Sequence, residues 1–142
     1  MALAALVALV ALAPPASARP RDETWHASSK TAMAITGDIR LSPRRLRTAG
    51  HDLALRVAAD VPDFGGDSGP TAARILAVTR PADPVLLNHN RLGCGASRPV
   101  RWIVVWQLDG GRQLGLDTFT GRAMPHGVSD PGFCGSYFYG RD

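Results

Sequence analysis

The chain has 142 residues, 45% of them hydrophobic, and a formal net charge of +4. That length suggests one domain, long enough to bury a sizeable core. No stretch beyond the N-terminal apolar run approaches the length of a membrane-spanning helix, so a helical membrane protein is excluded.

Met1 to Ala13 is an Ala/Leu/Val run, followed by Pro14-Pro15-Ala16-Ser17-Ala18. The run is too short to span a bilayer, and Ala16-Ser17-Ala18 has the small-x-small form of a cleavage site. Residues 1–18 therefore read as a secretory signal peptide cut after Ala18, and the mature protein as periplasmic or secreted. The 2 cysteines, Cys94 and Cys134, read as one disulfide in that oxidising setting. Bridging them closes a loop of roughly 40 residues, worth on the order of 4 kcal/mol in the chain-entropy account. Lys30 is the single lysine and Glu23 the single glutamate, so the charge is carried by arginine and aspartate. Such skew follows the codon bias of a GC-rich genome and weakens any inference from a single arginine. The basic excess permits contact with anionic surfaces without establishing it.

Residues 19–29 form a polar, flexible segment in which Trp25 is the one residue equipped to fold back onto the domain. The domain proper is expected over residues 30–142. From Lys30 to Leu41 the chain alternates through Met33, Ile35, Ile39 and Leu41, which predicts a strand interrupted near Gly37-Asp38. Ser42-Pro43-Arg44-Arg45 predicts a turn. A short strand follows around Leu46 to Thr48, then a turn at Gly50-His51-Asp52 and a half-buried strand through Leu53, Leu55 and Val57. Asp60 to Pro70, rich in Gly, Pro and Asp, predicts a surface loop. Ala73 to Thr79 predicts a strand ended by Pro81 and Pro84. Asn88-His89-Asn90 turns the chain toward Cys94, and Phe133 to Tyr139 predicts the closing strand.

The strongest signal is the hairpin from Pro99 to Gly121, two strands around Asp109-Gly110-Gly111. A turn centred on Asp109-Gly110 pairs Trp106 with Gln113; one centred on Gly110-Gly111 shifts every partner by two and leaves the faces unchanged. One face carries Ile103, Val105, Leu114 and Leu116, the obvious core. The other carries Trp102, Val104, Trp106 and Phe119, with Gly115 and Asp117 among them. This aromatic face is either a second buried layer or a binding surface, and Trp102, Trp106 and Phe119 are its candidate contacts. Burial is the favoured reading, with Trp25 or the irregular segment 122–131 as the cover. In all, seven or eight short strands with regular turn chemistry predict an all-β fold, a sandwich or a small antiparallel barrel.

No catalytic or metal site emerges, and no cofactor is expected. Gly66-Asp67-Ser68-Gly69-Pro70 is similar to the nucleophile loop of trypsin-like proteases but lacks its second glycine, and the chain is too short for that two-barrel fold. Asp60, Asp63 and Asp67 do not have the spacing of a calcium loop. His26, His51, His89 and His126 are not spaced as metal ligands. Arg40, Arg44, Arg45 and Arg47 cluster around one turn, where they are candidate anion contacts or simply a solvated turn.

Ile-Thr-Gly-Asp-Ile at residues 35–39, Leu-Gly-Cys-Gly at 92–95 and Gly-Phe-Cys-Gly-Ser-Tyr-Phe-Tyr at 132–139 together resemble a group of small uncharacterised secreted proteins of GC-rich bacteria. The resemblance covers most of the mature chain; it implies export and the cysteine pair, and no activity. Small periplasmic lysozyme inhibitors are similar in size, charge pattern and β content, but their inhibitory-loop motif is absent here. The expected function is a non-enzymatic binding module whose ligand is an envelope protein, a glycan or a small apolar molecule. Nucleic acid is not an expected partner. The alternative is a small hydrolase with an unfamiliar active site, recognisable by titratable side chains that converge in one cleft.

Overall fold

A computed structural model describes residues 21–95 and 97–142, so the signal-peptide reading of residues 1–18 lies outside the described residues. Eight strands follow in chain order: β1 (Glu23–Ala27), β2 (Ile39–Ser42), β3 (Arg45–Thr48), β4 (His51–Gly66), β5 (Gly69–Ala82), β6 (Val100–Leu108), β7 (Gln113–Phe119) and β8 (Phe133–Gly140). Each pairs antiparallel with the next, and β8 returns to β1, which closes a barrel. Of the sandwich and barrel alternatives, the protein is the barrel. Its connections are tight where the turn chemistry allows. Ser42 pairs with Arg45 across Pro43-Arg44, and Thr48 with His51 across Ala49-Gly50. The φ values of +45° and +81° at Ala49 and Gly50 match the twist that a two-residue hairpin requires.

Side-chain alternation puts the aliphatic and tyrosyl residues inside. Ile39, Leu41, Leu46, Leu53, Leu55, Leu76, Ile103, Leu114, Leu116, Tyr137 and Tyr139 are all buried there. Between them Arg40, Arg47, Asp52 and Arg56 lie exposed on the outside. On β2, β3 and β4 the order is therefore apolar in and charged out. No helix among the described residues is long and apolar enough to cross a membrane. The hydroxyl groups of the interior are satisfied locally. The Thr36 and Tyr139 hydroxyls bond at 2.8 Å, and Tyr137 and Thr118 both donate to the Leu92 carbonyl at 3.1 Å.

Three segments differ from the sequence-based expectation. Within the supposedly flexible residues 19–29, Glu23–Ala27 is a barrel strand, and Trp25 is 1% exposed at the heart of the core. Without β1 the edges of β2 and β8 would stand unpaired, so barrel closure recruits a segment whose own apolar content is low. The first half of the strand expected from Lys30 is instead a single wide helical turn, Ala32–Thr36, closed by the Gly37 N–H on the Ala32 carbonyl at 2.8 Å. A short apolar run of this kind fits either period, and the alanines favour the helical one. The supposed loop at residues 60–70 is the far end of a long β4–β5 hairpin. Bulges between Val57 and Ala59 and between Val61 and Phe64 absorb Pro62 and bend the ribbon.

In the central hairpin the register is the one centred on Gly110-Gly111: Trp102 opposes Phe119 and Trp106 opposes Gly115. The Cys94–Cys134 disulfide is present, with Cα atoms 4.9 Å apart, and ties the β5–β6 connection to β8.

Candidate functional site

On the outer face of β6, β7 and β8 the cross-strand register builds three rows. Trp106, Gly115 and Phe138 form one, Val104, Asp117 and Ser136 the next, and Trp102, Phe119 and Phe133 line up beside them. The bent end of the β4–β5 hairpin lies against this face, with Phe64 packed edge-on to Phe119 at 6.0 Å between ring centroids. The irregular segment after β7 completes the cover. Gly65 N–H donates to the His126 carbonyl and Val128 N–H to the Gly65 carbonyl, at 2.9 and 2.8 Å. A second core of Phe64, Ala73, Ile75, Val104 and Phe119 therefore sits outside the barrel, with Trp102 and Trp106 packed at its margin.

The three aromatic candidates thus have different surroundings. Phe119 is buried between Phe64 and Phe133. Trp102 is half-buried, and its indole N–H donates to the Gly121 carbonyl at 2.9 Å. Trp106 lies flat over Gly115, where any Cβ would run into the indole ring, and meets Phe138 edge-on at 6.1 Å. Phe119 also borders a hollow of about 350 Å³ under residues 121–132, and Trp106 lines the cavity that holds Asp117.

That cavity, about 320 Å³, opens between the β4–β5 turn (Asp67, Ser68) and the side chains of Trp106, Phe138, Asp117 and Ser136. Its central group is the Asp117 carboxyl. Asp117 is 0% exposed. Its Oδ1 accepts a hydrogen bond from the Ser136 hydroxyl, and its Oδ2 has no partner among the described residues. Burial pushes the carboxyl up to about 6, against the opposing pull of the Ser136 hydrogen bond, and the negative charge of Asp67 adds to the rise. A buried carboxylate oxygen without a donor costs free energy that a hydrophobic residue at this position would not incur. The sequence did signal the place: an aspartate stands between Gly115 and Phe119 on an otherwise apolar face. Only the hairpin packed above it makes that aspartate buried.

The other candidates are committed or dispersed. Arg45 pairs with Asp22 at 2.5 Å and Arg47 with Asp52 at 2.8 Å. Arg40 stands opposite Arg47 across β2 and β3, in a depression that also holds Asp38, Asp52 and His51. Arg44 occupies the turn beside them and is exposed. Four arginines converging on one anion is not the arrangement found. Asp60 is held by Arg74 through two contacts of 2.7 and 3.1 Å. His51 begins β4 and Ser68 lies in the turn beyond its other end, 17 positions on in sequence, and the two line different depressions. Among the described residues no three His, Cys, Asp or Glu side chains are grouped to hold a metal ion.

A larger depression of about 470 Å³ opens at one barrel mouth, between Arg21, Glu23, Trp25, Arg74 and Gln107. Two of its charged groups pair within the chain, Glu23 with Arg141 at 3.0 Å and Arg74 with Asp60, while Arg21 makes no ion pair among the described residues. The Arg141 guanidinium also stacks over Trp25, 4.4 Å from the ring centroid. The Trp25 indole N–H is buried without a partner among the described residues, and Arg21 is an exposed charge at the rim. The Asp117 cavity is the stronger candidate because its unpartnered polar atom belongs to an ionisable group. No family model, no curated protein and no solved structure matches this chain.

Proposed function

We propose that this protein is a small exported binding module that takes a ligand group into the Asp117 cavity. The observation that carries the reading is the unpartnered Asp117 Oδ2, fully buried beneath the β4–β5 turn and beside Trp106 and Phe138. Apolar and aromatic walls around a few convergent polar groups are what small-ligand sites are made of. The Cys94–Cys134 disulfide fits an oxidising compartment and supports export to the periplasm or beyond. The test is a fragment screen by amide and indole NMR on the oxidised protein. Shifts that cluster on Gly115, Ser136, Ser68 and the Trp106 indole support the module; hits scattered over the surface, or none, refute it.

A second reading has its own observation. Asp117 and Asp67 line the same cavity, and a buried, proton-holding carboxyl opposite an exposed one is a pattern used by acid–base hydrolases. Asp67 is exposed on a turn and no hydrogen bond orients it among the described residues. Catalysis of that kind needs both groups held in place, which favours binding over turnover. Hydrolysis of a glycoside or ester substrate that disappears in both Asp117→Asn and Asp67→Asn would reverse that preference.

A further inference from the structure

We propose that the cavity recognises a small organic cation, an ammonium or amidinium group carried on an apolar stem. The inference rests on the preceding reading of the cavity as a binding site and narrows it to one chemistry. Three observations converge on it. The first is the Asp117 carboxyl itself, which is fully buried and has one oxygen satisfied by Ser136 and the other without any donor. A charged N–H donor is the partner that gains most there, because a charge-assisted bond offsets the desolvation of the carboxylate.

The second is the charge of the lining. The chain carries 16 Lys and Arg against 12 Asp and Glu, yet the cavity is lined by two aspartates and by no lysine, arginine or histidine. Elsewhere three aspartates are held by arginines, Asp22 by Arg45, Asp52 by Arg47 and Asp60 by Arg74, while Asp63, Asp83 and Asp130 make no ion pair among the described residues. The two carboxylates of the cavity have no cationic partner among the described residues, and a positive charge from outside would find both of them unneutralised. The third is the wall. Trp106 and Phe138 stand edge to face beside the carboxyl, and aromatic rings near an acidic group are the usual surroundings of a bound organic cation. The volume of about 320 Å³ lies at the small end for ligand pockets and suits a single ring or short chain rather than an oligosaccharide.

The proton balance follows from the same groups. Asp67, from the β4–β5 turn, is the other titratable group in the lining; β6, β8 and Val128 contribute none. Since burial raises Asp117 to about 6, a cation binds the ionised form and must displace a proton at lower pH. Affinity should then fall by about tenfold for each pH unit well below 6.

The experiment compares benzylammonium with its neutral isostere benzyl alcohol, by calorimetry and amide NMR on the oxidised protein at pH 7.5 and pH 5. Expected is binding of the amine at least about tenfold tighter than the alcohol at pH 7.5, an advantage of roughly 1.4 kcal/mol. Asp117→Asn should abolish that advantage, and pH 5 should reduce it in the unaltered protein. Should the variant fail to fold, the pH comparison still reads the same carboxyl. Equal binding of amine and alcohol, unaffected by Asp117→Asn, would overturn the cation inference and leave the binding module standing. Absence of binding by either compound at millimolar concentration, with no shifts at Gly115 or Ser136, would overturn both.

Discussion

At the residue scale Asp117 dominates. Its carboxyl rises from the model-peptide value of 3.8 to about 6 in the fold, chiefly because burial disfavours the charged form. The native state therefore holds a proton that the unfolded chain has already lost between those two values. The protonated carboxyl contributes its full stability below about pH 4. That contribution declines as pH rises toward 6, and about 3 kcal/mol is gone at neutral pH. Asp117→Asn keeps an acceptor for Ser136 and removes the ionisation. Urea unfolding should show the variant more stable than the parent by about 1–3 kcal/mol at pH 7.5, with the gap closing by pH 4. A gap that is constant with pH would show that the carboxyl titrates normally. Gly115 is the other sensitive position, because the Trp106 indole occupies the space of its missing Cβ. Gly115→Ala should push that ring aside, cost about 1–3 kcal/mol and change tryptophan emission.

At the element scale, β1 and the β4–β5 hairpin do what their local sequence does not advertise. β1 closes the barrel through three pairs with β2 and two with β8, and its Trp25 fills the interior. Trp25→Ala should cost about 3–5 kcal/mol, as for a fully buried aromatic, measured by thermal or urea unfolding. Trp102→Ala should cost less, about 2–3 kcal/mol, since Trp102 is half-buried and its loss removes one indole hydrogen bond. A Trp102 penalty as large as that of Trp25 would mean that the outer cluster bears as much of the stability as the barrel. The long hairpin contributes Phe64 to that cluster and the roof of the Asp117 cavity.

At the scale of the whole molecule, the disulfide joins residues 40 positions apart and fastens the β5–β6 connection to β8. Its reduction should lower stability by on the order of 4 kcal/mol. Native protein treated with a thiol reagent should gain no adduct by mass spectrometry, and two after reduction; labelling without reductant would count against a bridge in solution. For export, an N-terminus at Arg19 on protein recovered outside the cytoplasm is the expected result, and an intact Met1 there would remove the signal reading. The barrel interior is packed with side chains, so its candidate site lies not in a lumen but between the sheet and the ribbon folded over it.

The all-β class, the central hairpin, its aliphatic face and the cysteine pair were legible in the sequence. Each rests on local chemistry: alternation along a strand, glycines at a turn, two cysteines in one chain. The identity of the buried aspartate, the strand at Glu23–Ala27 and the reach of β4–β5 were not. Trp25 is one apolar side chain in a polar segment, and it becomes a core residue because the edges of β2 and β8 need a partner. Pro62 and the glycines near it signal a loop, and bulges let a ribbon absorb them. Asp117 alternates outward on β7 like any solvent-facing residue. Its burial, its unpaired oxygen and its raised pKa arise because a hairpin some fifty residues earlier in the chain bends over it, a long-range contact that no local pattern encodes.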